Sequence, residues 1–150
     1  MLSADEKPLI LLVDDAPENL DVLKAALADA YGIRLAISGP LALRVAGMEP
    51  PPDLILLDIM MPGMDGYEVC RQLKENPRTR EIPVIFVTAM NDALDEVKGF
   101  QLGAVDYITK PISSPVVQAR VRAHLDIVLS HKKINVLNQD LSRSLEEQKE

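Results

Sequence analysis

Side chains suited to metal binding or phosphoryl transfer follow short apolar segments at four separate places in the chain. They are Asp14 and Asp15, Asp58, Thr88, and Lys110. Three carboxylates in one crevice would repel each other and raise at least one carboxyl pKa, and a divalent cation removes that conflict. Oxygen ligands without nearby histidine or cysteine favour Mg²⁺. With the hydroxyl and the ammonium, such a site would cradle a phosphoryl group, and a carboxylate can itself be the nucleophile.

The elements that must position these side chains alternate between strands and helices. Continuous apolar runs predict strands at residues 9–13, 33–37, 54–57, 84–87 and 104–107. Between them, helices are predicted to begin at Pro17, near Leu41, at Asp65 with Glu68 as its capping partner, after Asn91, and at Ser114 with Pro115. This alternation indicates an α/β fold, a parallel sheet covered by helices on both faces. Because ligands of such sheets bind beyond the carboxyl ends of the strands, we expect all five side chains at one edge.

Composition restricts the classes of function. The chain has 150 residues and a net charge of −7, which argues against direct binding to nucleic acid. The longest early apolar run, residues 9–13, is too short to cross a membrane, and one cysteine cannot form an internal disulfide. We therefore expect a cytoplasmic protein that binds neither membranes nor nucleic acid directly.

Four segments together carry a resemblance to a known family. They are residues 13–15 (VDD), 57–66 (LDIMMPGMDG), 87–89 (VTA) and 106–111 (DYITKP). In this order they resemble the receiver domain of two-component response regulators, over roughly residues 8–126. The resemblance implies a flavodoxin-like sheet of five parallel strands in the order 2-1-3-4-5, with helices on both faces.

The resemblance implies a role for each acidic residue. Asp58 is similar to the phosphoacceptor of the family, Asp15 to a direct Mg²⁺ ligand, and Asp14 to a ligand that acts mostly through water. The backbone carbonyl of Met60 is similar to a further ligand. The implied partner is a histidine kinase or phosphotransfer protein, and the implied role is regulatory rather than enzymatic.

The other residues of the resemblance imply a switch. Lys110 is similar to the phosphate-pairing lysine, and its peptide bond to Pro111 is expected to be cis. Thr88 is similar to the hydroxyl that moves onto the phosphoryl group, and Tyr107 to the aromatic that turns inward into the space left by Thr88. Phosphorylation would then change the face formed by the fourth helix, the fifth strand and the last helix.

The end of the chain predicts one long helix. We expect a receiver domain at residues 1–128 and a helical or coiled-coil extension, or a linker to an output domain, at 129–150. One stripe packs on the domain and a second stripe requires a partner helix, most simply that of a second subunit. The stripes are Val117, Val121, Leu125 and Val128, then Ile127, Ile134, Leu137 and Leu141. A homodimer through this helix or the switch face is therefore expected, with a frayed tail as the alternative.

Similar receivers with an extended last helix often precede a diguanylate cyclase, a cyclic-di-nucleotide phosphodiesterase or a histidine kinase. We therefore suspect a fragment of a longer protein, and the alternative is a stand-alone adaptor that docks a partner directly. A hydrolase is less favoured, since Met60 occupies the position of the second acid of aspartyl-phosphate phosphatases. A flavin carrier is disfavoured by the acidic loop at residues 14–17, which would repel a phosphate.

Three further predictions concern individual side chains. Met60 and Met90 offer no group to orient an attacking water, which predicts slow loss of the phosphoryl group; the alternative is that both merely cover the rim. His124 is expected to be an ordinary helix residue, and Cys70 a packing residue.

Overall fold

The computed structural model of the protein describes residues 7–89 and 93–147. Within these residues five strands alternate with five helices. The strands are β1 (Leu9–Val13), β2 (Gly32–Ala36), β3 (Leu54–Leu57), β4 (Val84–Thr88) and β5 (Asp106–Thr109). The helices are α1 (Pro17–Leu27), α2 (Gly39–Ala46), α3 (Gly66–Glu75), α4 (Ala93–Gln101) and α5 (Ser114–Glu147). All strand pairs are parallel in the order β2-β1-β3-β4-β5, which confirms the predicted flavodoxin-like fold.

The sheet is buried on both faces because its central strands carry apolar side chains at every position except Thr88, the last residue of β4. On β1, Leu11 and Val13 belong to one core cluster with residues of α2 and α3. Ile10 and Leu12 belong to the other cluster, with residues of α1 and α5. The period-two alternation of a strand thus turns one continuous apolar run into two cores.

The fifth strand differs from its predicted position. It begins at Asp106 rather than at residue 104, because the end of α4 occupies the preceding residues. Gly103 has a φ of 107°, its N–H donates to the Phe100 carbonyl, and the Ala104 N–H donates to the Gly99 carbonyl. This pair of bonds is a Schellman motif, in which two residues beyond the helix are used to close its last turn.

At the start of α3, one of the two predicted capping interactions is present. The side chain of Asp65 accepts a hydrogen bond from the Glu68 N–H at 2.9 Å, as expected for an N-cap. The Glu68 carboxylate, however, accepts from Arg71 and Gln72 on its own helix. The expected capping partnership is therefore replaced by ion pairing along the exposed face of α3.

Helices α4 and α5 each carry several exposed apolar side chains. On α4, Val97 and Phe100 are about half exposed. Asn91, after which this helix is predicted to begin, lies outside the described residues. On α5, Val117, Val121 and Leu125 are buried, as predicted.

Helix α5 runs for 34 residues, well past the domain. Ile127, Ile134 and Leu137 of the second predicted stripe are more than half exposed. The side chain of Leu141 is not described. No helix in the described ranges is long and apolar enough to span a membrane.

Candidate functional site

Three carboxylates meet at the carboxyl ends of β1 and β3. These strands are neighbours with Val13 opposite Leu57, so the residues that follow each strand emerge side by side. One carboxylate oxygen from each of Asp14, Asp15 and Asp58 lies within 4.8 Å of the others. Asp14 and Asp58 are 1% and 3% exposed, whereas Asp15 is exposed. The cluster therefore has a buried floor and an open side.

Lys110 directly follows the edge strand β5, and its side chain reaches this cluster past the end of β4. Its backbone N–H donates to the Thr88 carbonyl at 2.9 Å, which continues the pairing of β4 with β5. Its Nζ lies 2.9 Å from Asp14 Oδ2 and 3.4 Å from Asp58 Oδ1. The Lys110–Pro111 peptide bond is cis, as the resemblance implied.

The charges of the cluster are strongly coupled. Burial raises the pKa of Asp58, and the nearby Asp14 carboxylate raises it further; Lys110 and the Met60 N–H oppose the shift. The pKa of Lys110 is raised, because its hydrogen bond to Asp14 and the charge of Asp58 outweigh the cost of its burial. Three carboxylates against one ammonium leave the site negative. A negatively charged crevice with oxygen ligands and one open side fits a hard divalent cation such as Mg²⁺.

Backbone groups hold the two buried carboxylates in place. Asp14 Oδ1 accepts from the Ala16 N–H at 2.9 Å, and Asp58 Oδ1 faces the Met60 N–H at 3.4 Å. The Met60 side chain itself is exposed. The other oxygen of Asp14, Oδ2, lies 2.9 Å from Lys110 Nζ, whereas Oδ1 of Asp58 lies near both the Met60 N–H and Lys110 Nζ.

Gly66 brings the start of α3 against the loop that carries Asp58. Its N–H donates to the Ile59 carbonyl at 2.9 Å. A Cβ at this position would overlap the Asp58 carbonyl oxygen and lie 2.7 Å from the Ile59 Cα. The predicted motif contained Gly66, but its spacing alone did not reveal this approach.

Thr88 and Tyr107 lie in the neighbouring part of the fold. Thr88 is fully buried as the last residue of β4. Tyr107 is 7% exposed and lies opposite Phe86 of β4. Phe86 precedes Thr88 by two residues. Its ring centroid is 5.5 Å from that of Phe86 and 5.6 Å from that of Phe100. Thr88 and Phe86 are two residues apart on one strand, so they project to the same face.

A polar group that we did not predict lies beside Tyr107. Asp106 accepts hydrogen bonds from Arg120 at 2.9 and 3.0 Å and lies 3.0 Å from His124 Nε2. His124, which we expected to be an ordinary helix residue, thus contacts a carboxylate of β5. The four-residue spacing of Arg120 and His124 on one helix face was the available signal. Met90 lies outside the described residues.

Comparison with known proteins places this geometry in a family. The model of the response regulator receiver domain matches residues 10–122. A probable cyclic di-GMP phosphodiesterase from Vibrio cholerae is 51% identical over 116 residues, which are 77% of this chain and 26% of that protein. The response regulator PleD from Caulobacter vibrioides is 49% identical over 115 residues, 76% of this chain and 25% of PleD.

Solved structures show the same fold. The crystal structure of a putative response regulator from Chloroflexus aurantiacus matches with a TM-score of 0.75 and 33% identity. The match covers 80% of this chain and 98% of that one. By contrast, the chain spans about a quarter of the two curated relatives it matches.

Proposed function

Because the chain belongs to the family of response regulator receiver domains, we propose that it is a phosphorylation switch whose phosphoacceptor is Asp58. The donor is the phosphohistidine of a histidine kinase or of a phosphotransfer protein. A carboxylate oxygen of Asp58 forms a P–O bond while the P–N bond to the donor imidazole breaks. The products are an aspartyl phosphate and a free imidazole, which takes up a proton as it leaves.

The observation that carries this proposal is the convergence of Lys110 on the carboxylates of Asp14 and Asp58. Phosphoryl transfer requires positioning and neutralisation of charge more than covalent chemistry. The Lys110 ammonium lies where it can pair with an oxygen of the transferred group. When bound, Mg²⁺ would supply further positive charge beside the same oxygens. Its proposed ligands are Asp14, Asp15, Asp58 and the Met60 carbonyl, with Asp14 acting mostly through water.

We propose Thr88 and Tyr107 as the residues that report the modification. The aspartyl phosphate adds acceptor oxygens at the end of β3, next to the strand that ends in Thr88. A movement of the Thr88 hydroxyl toward those oxygens changes the space beside the Tyr107 ring. The face around α4, β5 and α5 then changes with the ring.

The test is incubation with acetyl phosphate and Mg²⁺, followed by intact-mass analysis. We expect one added phosphoryl group on the wild-type chain, none on Asp58→Asn, and none in the presence of EDTA. Asp65→Asn is the matched control, since asparagine also serves as an N-cap and the variant should be modified normally. A phosphoryl group retained by Asp58→Asn would place the acceptor elsewhere and contradict the proposal.

The extension of α5 is proposed to pair with that of a second subunit. Ile127, Ile134 and Leu137 lie at spacings of seven and three residues, the a and d positions of a heptad. All three are exposed on the single chain. A parallel pair would bury this stripe and would deliver two output regions side by side. Since the chain spans only a quarter of its relatives, we propose an output domain in the full-length protein, which would act through the geometry of the dimer.

Sedimentation of the phosphorylated and unphosphorylated chain tests this pairing. We expect Ile134→Asp to dissociate the dimer, and Leu129→Asp to leave it intact, because Leu129 is also exposed but lies off the stripe. A dimer that survives Ile134→Asp but is lost in Phe100→Asp would assign the interface to the α4, β5 and α5 face instead.

A further inference from the structure

Gly99, in the last turn of α4, is buried directly against the ring of Tyr107. A Cβ added at Gly99 would overlap the Tyr107 hydroxyl and lie 2.8 Å from both Cε2 and Cζ of the ring. Contacts of that length are closer than packed carbon atoms tolerate, since carbon atoms pack at about 3.5–4.0 Å. The ring of Tyr107 therefore occupies the volume that any other residue at position 99 would fill.

The helix itself does not require this glycine. Gly99 is followed by two further residues of α4, and among the described glycines only Gly63 and Gly103 have positive φ. Within a helix, alanine is more favourable than glycine because glycine loses more backbone entropy. The space that glycine leaves for the Tyr107 ring offsets this cost.

The residues on either side of Gly99 contact the same row of aromatic rings. Phe100 lies edge-on to Tyr107, with ring centroids 5.6 Å apart. Lys98 Nζ lies 4.4 Å above the ring centroid of Tyr67, which in turn packs edge-on against Phe86 at 5.5 Å. Phe86 completes the row at 5.5 Å from Tyr107.

Three consecutive residues of α4 thus pack on rings carried by α3 and β5. A cation above an aromatic face and edge-on rings both favour one relative placement. The placement of α4 and the position of the Tyr107 ring are therefore coupled through Gly99.

We infer that Gly99 is a positioning residue of the switch: its missing side chain forms the slot that admits the Tyr107 ring to its inward position. This inference rests on the proposed function, because it assigns the residue that sets the balance between the inward and outward positions of the Tyr107 ring. A side chain at position 99 biases the ring outward, and with it the receiver against its phosphorylated arrangement.

The first test asks whether the effect of Gly99→Ala on the melting temperature changes sign when the Tyr107 ring is removed. In the otherwise wild-type chain, Gly99→Ala is expected to lower the melting temperature or to expose the Tyr107 ring. In a Tyr107→Ala background the same substitution is expected to raise the melting temperature, as alanine ordinarily does in a helix. Gly47→Ala is the matched control, because its Cβ would meet only the Leu43 and Arg44 carbonyls at 3.7 Å.

Ring position is read directly by ¹⁹F NMR of the chain labelled with 3-fluorotyrosine. Its three tyrosines are assigned by single Tyr→Phe variants. We expect Gly99→Ala to shift the Tyr107 resonance and to increase its broadening by a soluble paramagnetic agent, with the Tyr31 resonance unchanged. Beryllofluoride with Mg²⁺, a mimic of the aspartyl phosphate, should bind this variant more weakly by roughly five- to tenfold, the lower range of coupling between two sites.

Two results would overturn the inference. One is an unchanged Tyr107 resonance in Gly99→Ala; the other is an equal destabilisation by Gly99→Ala with and without the Tyr107 ring. If Gly99→Ala does not fold, recovery of folding in the double variant with Tyr107→Ala supports the slot, and failure of both variants contradicts it. Failure of the proposed function itself would appear separately, as a wild-type chain that takes no phosphoryl group on Asp58.

Discussion

The Nζ of Lys110 lies 2.9 Å from Oδ2 of Asp14, although 96 residues separate them in sequence. Their strands, β5 and β1, are not neighbours, since β3 and β4 lie between them in the sheet. One ammonium therefore spans the rim and partly neutralises a carboxylate that is almost completely buried. The remaining negative charge is shared by Asp58 and Asp15, which is the basis of the first two predictions.

Asp58→Asn is expected to stabilise the fold in EDTA at neutral pH. Burial and the Asp14 carboxylate raise the pKa of Asp58, so its charged form is disfavoured in the folded chain. An amide of the same shape removes the repulsion while leaving an oxygen for the Met60 N–H. We expect a gain of about 1 kcal/mol, or roughly 4 °C in the melting temperature. The matched variant Asp65→Asn should not show this gain, and equal melting temperatures of Asp58→Asn and wild type would contradict the prediction.

Mg²⁺ is expected to raise the melting temperature of the wild-type chain, because a ligand that binds only the folded state stabilises it. Millimolar MgCl₂ should add about 1–3 kcal/mol if the concentration is well above the dissociation constant. Asp15→Asn should abolish this response without changing the melting temperature in EDTA, since Asp15 is exposed. Asp29→Asn, an exposed acid at the other end of α1, should respond as wild type does. A full response in Asp15→Asn would remove that residue from the ligand set.

Much of this site could be predicted because strand ends are marked in the sequence. Apolar runs that stop at Val13 and Leu57 leave Asp14 and Asp58 at the rim, and the parallel topology then brings them together. The position of β5 could not be predicted in the same way. Ala104 and Val105 are apolar and resemble a strand, but the Ala104 N–H closes the end of α4 instead.

The close packing of glycines against distant residues could not be predicted from the sequence, for a different physical reason. A glycine is visible in the sequence, but what would occupy the volume of its missing side chain depends on the packing of distant elements. Gly66 against Asp58 and Gly99 against Tyr107 are both of this kind. The contact of His124 with Asp106 likewise depends on the rotation of α5 against β5, which periodicity fixes only to within a face of the helix.

Asp106→Asn is expected to destabilise the fold in a pH-dependent way. Burial alone would raise the pKa of Asp106, but hydrogen bonds from His124, the Tyr107 N–H and Arg120 together lower it. A lowered pKa in the folded state gives stability that is present above the unfolded value, about 3.9, and is lost as pH falls through the folded value.

The difference in free energy of unfolding between wild type and Asp106→Asn should thus be about 1–2 kcal/mol at neutral pH. It should shrink as the pH falls below about 4. Urea unfolding across this range measures it, with Asp21→Asn, an exposed acid on α1, as the control. A difference that stays constant down to the acid limit would show that charge on Asp106 is not its source.

Gly66→Ala tests how tightly the phosphoacceptor loop depends on α3. The added Cβ would lie 2.7 Å from the Ile59 Cα and overlap the Asp58 carbonyl oxygen, and both are backbone atoms that cannot rotate away. Either α3 or the loop must move, so we expect a loss of about 2–4 kcal/mol in the free energy of unfolding. Because the shift acts on Asp58 itself, phosphorylation by acetyl phosphate should slow even at temperatures where the variant is fully folded. Gly47→Ala supplies the baseline for replacing a glycine in this domain. A folded Gly66→Ala variant that is phosphorylated at the wild-type rate would show that the loop holds Asp58 without help from α3.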